Sequence, residues 1–480
     1  MERILTVEQM RHADEYTIHN LGVSQEELVN RAGRAVADEI MKRFIGGRVL
    51  VCVGKGNNGA DGKVVADILS KLHGFSVNIL TVSNGILKLF DKKYDIIVDC
   101  IFGTGLNREV GGVYKTVIEK INSSGAYVIS CDIASGLNGD TGRTMGIAVK
   151  ANLTVTIQEF KLGHFLNDGP TYSGEVVAKD IGISIWEDDC IKKFSNTDAN
   201  KCFPKRKLNV NKGNFGKACI FGGSKKYLGS ICLSALSLSS LKVGAGYAYL
   251  VVPESLLNIY ALKVPECILL TCKDVDGFLD LDFDLLKSLL GFDCIAFGMG
   301  VGNTEKVYEI LKFLLLNYKG KLVIDADGLN ALSTFGVEIL KNKSCAVVLT
   351  PHIGEFARLC NVNKDLILNN AIMYAKEFAK KYDVIVLLKN SVSVITDGQE
   401  VFLNTTGTPA MAKAGSGDVL SGIICGVAAR TEDLMQAVVS SAYIFGRAGE
   451  IADKKSNEYS VIATDIISCI PDAINSLSKW

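Results

Sequence analysis

The chain has no net charge: 52 Lys and Arg offset 52 Asp and Glu over 480 residues. Without a basic excess there is no phosphate-neutralising field, which excludes a dedicated nucleic-acid binder. Clustered cysteine is also missing. The fourteen cysteines stand singly, with no Cys-x-x-Cys pair and no Cys/His cluster, whereas a structural zinc site needs grouped soft ligands. The opening residues MERILTVEQMRHADEY bring early charge and no apolar core, arguing against a secretion signal and a disulfide framework. Reduced, mostly buried thiols in a cytoplasm are expected. No run reaches the ~18 uncharged apolar residues of a membrane helix. The longest uncharged tract, 228–241, carries Ser, Ala and Gly and reads as a tightly packed helix. Repeats, low-complexity tracts and heptads are absent too. With 48% hydrophobic residues the chain can offset its ordering entropy, so disorder is excluded. The length predicts two or three domains.

The first third opens on helix. Thr6 before Glu8 and Gln9, and Ser24 with Glu27 three residues on, are helix-start patterns; the second predicts a helix through Ile40. The period then changes. Short apolar runs at 48–54, 76–82, 94–99, 126–132 and 152–157 are separated by helix-length segments. Near-continuous apolar strands alternating with helices predict a parallel sheet covered on both faces. Between 186 and 213 the texture turns polar and charged, with Pro204, the best candidate boundary. The rhythm then restarts, with runs at 217–221, 246–252, 294–297, 322–325, 346–350 and 384–388. Two tandem α/β domains are expected, 1–207 and 208–480.

Gly54-Lys55-Gly56-Asn57-Asn58-Gly59-Ala60-Asp61-Gly62 follows the first strand and precedes a helix. It contains a GxGxxG, whose glycines let backbone amides approach a phosphate at a helix N-terminus. An ordinary dehydrogenase holds the ribose with a carboxylate about 20 residues on; the stretch 81–84, TVSN, has none. There is no Walker A motif, since Gly62-Lys63 is followed by Val64. Two further strand ends are polar, DCIFGTGL at 99–106 and DIASGL at 132–137. Ligands bind at the carboxyl edge of an open parallel sheet, so the three loops are expected to converge on one crevice. Asn58, Asp99 and Ser135 offer hard oxygen ligands, and a single carboxylate suits a monovalent cation. Asp132 is a candidate proton-transfer group, or else a cap or loop carboxylate.

These three stretches resemble the motifs of NAD(P)HX epimerases, the YjeF N-terminal family, and the likeness runs from the opening helices to about Gly182. It implies a Rossmann-like three-layer domain. Asn57, Asn58, Gly59, Ala60 and Asp61, with Gly103, Thr104, Gly105, Leu106, Asn107, Arg108 and Glu109, would line the hydrated nucleotide. Asp132 would bind substrate and act as acid/base, and Asn58, Asp99 and Ser135 would hold potassium, flanked by Cys100 and Cys131. The family usually has Gly at Ala60 and Pro at Ala134. Ala60 would be strained if its loop needs φ > 0, and Ala134 loosens a loop that Pro would rigidify.

The most specific signal is AGSGDVLSG at 414–422. Small residues open a helix whose free amides can bind a transferring phosphoryl group. Asp418 in its first turn can accept a proton from an attacking hydroxyl, or merely stabilise its own helix. The stretch resembles the GxGD signature of ribokinase-like kinases. Around it, Asn211-Lys212-Gly213, Phe221-Gly222-Gly223-Ser224, Gly229-Ser230, Gly298-Met299-Gly300-Val301-Gly302, DADGLN at 325–330, TPHIGEFARL at 350–359 and KNSVS at 389–393 resemble, in order, the motifs of ADP/ATP-dependent NAD(P)HX dehydratases. This covers about 210–470 and implies a ribokinase-like domain. Ser230, Gly300, His352 and Asp418 would contact the hydrated nucleotide. Lys389, Asn390, Ser391, Val392, Ser393 and Gly417 would contact ADP or AMP, and Glu355 would hold Mg2+ through water. Asn211, Asn390 and Ser230 stand where that family usually has His, Gly and Ala.

Together the resemblances imply repair of hydrated NADH and NADPH. The first domain would interconvert R and S epimers, by hydroxyl loss or ring opening. The second would use ADP as co-substrate to dehydrate the S epimer, releasing AMP and phosphate. NADHX, NADPHX and ADP are the implied partners, with no nucleic acid, no membrane, and assembly into homo-oligomers. The rival reading is a vitamin or sugar kinase with a regulatory nucleotide-binding N-terminal domain, which would accumulate a phosphoester.

Overall fold

A computed structural model describes residues 2–82, 88–185, 190–239 and 242–477. Positions 83–84 of the ribose argument, 186–189 of the polar stretch and 240–241 of the uncharged tract lie outside the described residues. The chain divides into two compact units, Glu2–Ile191 and Lys192 to the C-terminus. The division falls inside the polar stretch, at 191/192 rather than at 207/208, for a packing reason. Phe194, Ala199, Cys202 and Phe203 are buried in the second unit's core. Arg430 lies 4.6 Å from the Phe203 ring centre and donates to the Cys202 carbonyl at 2.6 Å.

The first unit begins with two capped helices. Thr6 accepts from the Gln9 amide at 3.1 Å while the Gln9 side chain accepts from the Thr6 amide at 2.9 Å, so helix Val7–His19 opens on a reciprocal capping box. Ser24 caps helix Gln25–Arg43, which runs past Ile40. Six parallel strands follow, Gly47–Val53, Phe75–Thr81, Ile96–Cys100, Tyr127–Cys131, Leu153–Ile157 and Glu175–Lys179. Numbered along the chain, their spatial order is 2-1-3-4-5-6. The order reverses between strand Gly47–Val53 and strand Ile96–Cys100. Loops leaving such a switch point diverge and open a crevice at the carboxyl edge, and these two loops carry GKGNNGADG and IFGTG.

In the second unit seven parallel strands, Lys217–Phe221, Tyr247–Pro253, Ile268–Cys272, Cys294–Phe297, Lys321–Ile324, Ala346–Leu349 and Ile385–Leu388, take the spatial order 3-2-1-4-5-6-7. Strands Ser393–Thr396 and Val401–Asn404 then continue antiparallel. The switch point lies between Lys217–Phe221 and Cys294–Phe297, followed by the GGS and GMGVG loops. Helix Ser416–Arg430, buried over most of its length, packs on helix Leu228–Ser239. A Cβ on Gly422 would lie 2.2 Å from the Ser234 carbonyl oxygen, so only glycine permits that approach. Both units are mixed α/β with parallel sheets, as the strand–helix rhythm predicted. Among the described residues no helix is long and apolar enough to cross a membrane, and no disulfide joins any of the fourteen cysteines.

Residues 192–207 therefore pack with the second unit. Phe203→Ala should destabilise that unit by about 3 kcal/mol, read as a lower unfolding midpoint in urea. An unchanged midpoint would show these residues to be a mere linker.

Candidate active sites

In the first unit a cavity of about 620 Å3 opens at the switch point. Of the expected residues, Asn57, Asn58, Asp61, Gly103, Thr104, Gly105, Leu106, Asn107, Arg108 and Asp132 line it; Gly59, Ala60 and Glu109 do not. Gly59 instead serves close packing, since a Cβ there would lie 2.1 Å from the Gly54 carbonyl oxygen, and one on Gly54 would lie 1.9 Å from that of Ile101. Ala60 lies inside helix Asn57–Ser70 and is not among the positive-φ residues, so the feared strain is absent. Ala134 is fully buried, and its carbonyl accepts from the Leu137 amide at 3.0 Å.

Asn58, Asp99 and Ser135 meet. Asp99 is fully buried and accepts from Ser135 Oγ at 2.6 Å, the Ser135 amide at 2.9 Å, Ser130 Oγ at 2.8 Å and the Ile101 amide at 3.3 Å. Ser135 Oγ lies 3.1 Å from the Phe102 carbonyl oxygen, which also accepts from Asn58 Nδ2 at 2.8 Å. Asn58 Oδ1 is buried with no hydrogen-bond partner among the described residues. An orphaned buried acceptor beside a carboxylate, a hydroxyl and a carbonyl is a donor set that fits an oxygen-ligated cation.

Asp132 stands at the end of strand Tyr127–Cys131 with φ of 67°, a conformation costly for most side chains. Its Oδ1 accepts from Lys161 Nζ at 2.5 Å and from the Ile157 amide at 3.3 Å. Burial alone would raise its pKa, but the charge and hydrogen bond of Lys161 outweigh it and hold the carboxyl below the usual range. Lys161 is 1% exposed and donates also to Thr156 Oγ1 at 2.9 Å and the Ile157 carbonyl at 2.7 Å. Beside it, burial and the Lys161 charge push the His164 imidazole down to about 4. Sequence reading missed Lys161 and Asp14, which both line the cavity. Burial pushes Asp14 up to about 6.

In the second unit Asp418 projects from the first turn of helix Ser416–Arg430, behind Gly415 at φ of 91°. Ser230 Oγ donates to Asp418 Oδ1 at 2.6 Å, and Ser234 Oγ donates to the Asp418 carbonyl at 2.9 Å. Burial pushes Asp418 up to about 6 even with the Ser230 bond favouring its anion. Gly300, at φ of 66°, backs onto Ser230; a Cβ on Gly300 would sit 3.2 Å from Ser230 Cβ. Lys389 Nζ donates to Asp325 Oδ1 at 2.8 Å, and Ser421 Oγ donates to Asp325 Oδ2 at 2.6 Å. A Cβ on Gly417 would lie 3.2 Å from Lys389 Nζ, which places the ammonium at the helix N-terminus. The Lys389 amide donates to the Pro351 carbonyl at 2.8 Å, drawing in the TPH turn. There His352 Nδ1 accepts from the Gly354 amide at 2.9 Å and Glu355 Oε2 accepts from the His352 amide at 2.8 Å. Burial pushes Glu355 up to about 7. A carboxylate so raised gains from a cation, which fits Glu355 to Mg2+. Asn390 and Ser391 are exposed beyond Lys389, Ser393 is half-buried, and Val392 is buried.

The two switch-point sites, a carboxylate-lined cavity and a helix N-terminus that carries Asp418 beside the half-buried Lys389, are the arrangement of a two-domain nucleotide-processing enzyme. Residues 218–472 match the family described as NAD(P)H-hydrate dehydratase, and 25–89 and 84–163 match the YjeF-related protein N-terminus. The bifunctional NAD(P)H-hydrate repair enzyme of Thermofilum pendens is 32% identical, over 99% of this chain and 97% of its own. That of Pyrobaculum aerophilum is 32% identical over 99% and 98%. The ADP/ATP-dependent NAD(P)H-hydrate dehydratase of Bacillus subtilis, co-crystallised with ATP and Mg2+, superposes with a TM-score of 0.52 at 25% identity, covering 60% of this chain and 99% of its own. The chain belongs to the family of bifunctional NAD(P)H-hydrate repair enzymes, and this decides against the vitamin- or sugar-kinase reading.

Asp99→Ala should leave the two serines and two amides around it without their acceptor and destabilise the first unit by about 3 kcal/mol. Chemical denaturation checks this; a change below about 0.5 kcal/mol, the usual surface range, would contradict it.

Proposed function

We propose that the first unit epimerises the C6 carbon of NADHX and NADPHX and that the second dehydrates the S epimer at the expense of ADP. The observation that carries the second assignment is the Ser230–Asp418–helix-end arrangement, with Lys389 alongside. Asp418 takes the proton of the C6 hydroxyl, and that oxygen attacks the terminal phosphate of ADP. The amides at the start of helix Ser416–Arg430 and the Lys389 ammonium receive the transferring charge. AMP departs. The ring nitrogen lone pair then expels phosphate from C6, and loss of a C5 proton gives NAD(P)H. Hydroxide is a poor leaving group, which is why a phosphoryl donor is needed. Mg2+ held near Glu355 would neutralise phosphate charge.

In the first unit Asp132, kept anionic by Lys161, is the base. The two asparagines and the 103–108 loop would seat the nucleotide. Asn58, Asp99 and Ser135, with the Phe102 carbonyl, would hold potassium, whose charge would fix the two substrate loops at the switch point. ADP rests on the family resemblance, while the Bacillus subtilis relative was crystallised with ATP and Mg2+, so both donors belong in the assay.

With a mixed R and S sample, ADP and Mg2+, the chain should regain all of the expected dihydronicotinamide absorbance. A plateau at the S fraction would remove the epimerase assignment. Asp418→Asn should lower dehydration by ~10²-fold or more while epimer exchange continues. The base must be ionised, so the dehydration rate should fall as pH drops through about 6, where burial has moved Asp418. Ser230→Ala removes a hydrogen bond to the anion and should shift that acid limb to higher pH. A pH–rate profile in which the two enzymes coincide would show Ser230 to be structural only.

A further inference from the structure

Asp61 has no partner in the chemistry described so far. It lies on helix Asn57–Ser70, is 8% exposed and lines the same cavity as Asp132. Among the described residues its carboxyl makes no hydrogen bond and no ion pair. A buried carboxyl without a donor is costly as an anion. Burial, with the charges of Asp132 and Asp14 added, pushes it up to about 8. Its surroundings give no relief. The Cys100 and Cys131 thiols behind it are themselves raised, and the ammonium of Lys161 is committed to Asp132, Thr156 and Ile157. Lys55 and Arg108 line the cavity, and neither forms an ion pair with Asp61 among the described residues. One cavity thus holds two carboxyl groups in opposite states on different elements, Asp61 neutral on the helix and Asp132 ionised at the strand end.

We propose that Asp61 is the general acid of the first unit, acting against the base Asp132, and that epimerisation runs by loss and re-addition of the C6 hydroxyl. This rests on the epimerase assignment above. Asp61 passes its proton to the C6 hydroxyl as the C6–O bond breaks. The bonding pair leaves with oxygen as water, and the ring nitrogen lone pair becomes the C6–N1 π bond. A second water adds from the opposite face. The π pair returns to nitrogen, and the surplus proton of that water goes to Asp132. Transfer of one proton from Asp132 to Asp61 restores the start, with no redox partner. The second unit breaks the same C6–O bond, so expulsion of oxygen by the ring nitrogen is within this substrate's chemistry. Ring opening breaks C6–N1 instead and keeps the original oxygen.

The test is epimer exchange by the full chain in H2(18)O without ADP, with enzyme-free exchange subtracted. Attack from the opposite face needs a different water, so each molecule of newly formed epimer should carry one 18O. Retention of 16O would overturn the proposal. Asp61→Asn should lower the kcat of exchange by ~10²- to 10⁴-fold with KM little changed, and Asp61→Glu should restore part of it. Full-rate exchange by Asp61→Asn would also overturn it. No exchange at all by the unaltered chain would instead overturn the epimerase assignment.

Discussion

Each unit is organised around one lysine, Lys161 fully buried and Lys389 half-buried, held by an aspartate at a strand end. Taking both charges out of water costs several kcal/mol per ion and is offset only when every donor finds an acceptor. Lys161 meets that condition with Asp132, the Thr156 hydroxyl and the Ile157 carbonyl. Its charge fixes Asp132 as an anion and, after burial, helps to keep His164 neutral. Asp325 does the corresponding work in the second unit, tying Lys389, the Ser421 hydroxyl and the Ala326 amide together. Strand, lysine and helix Ser416–Arg430 are thereby locked into one arrangement. Loss of either lysine would leave an uncompensated carboxylate, so the same pairs serve stability and chemistry.

The first cavity shows how little residue type decides. Asp132, Asp14 and Asp61 share one chemistry and one space. Their acidities spread from below the ordinary range, through about 6, to about 8. The order follows the donors available: a lysine held at hydrogen-bond distance for the first, only its longer-range charge for the second, and none for the third. In a neutral chain such local differences replace any global field.

The central strands and the loops that follow them were legible, because a fully buried parallel strand is an uninterrupted apolar run and its polar end stands out. Asn58, Asp99 and Ser135 were found that way. Strand Glu175–Lys179 was not, since its charged ends leave only three apolar residues, and the short run of Ile268–Cys272 was passed over although it is apolar. Lys161 and Asp14 escaped because each reads as a surface charge. Lys161 becomes buried only when Phe160–Lys161 pairs with strand Glu2–Leu5 from the start of the chain. The bond from the Ser230 hydroxyl to Asp418 was not legible, because it crosses a helix pair that no local pattern reveals.

The backbone at Asp132 narrows what the site can become. At φ of 67° asparagine, aspartate and glycine are at home, while longer or branched side chains meet a steric penalty. Of those three only aspartate carries charge. A glutamate, the conservative exchange elsewhere, would have to fight the main chain before it reached Lys161. The strand end therefore leaves this position almost no mutational neighbours that keep its charge.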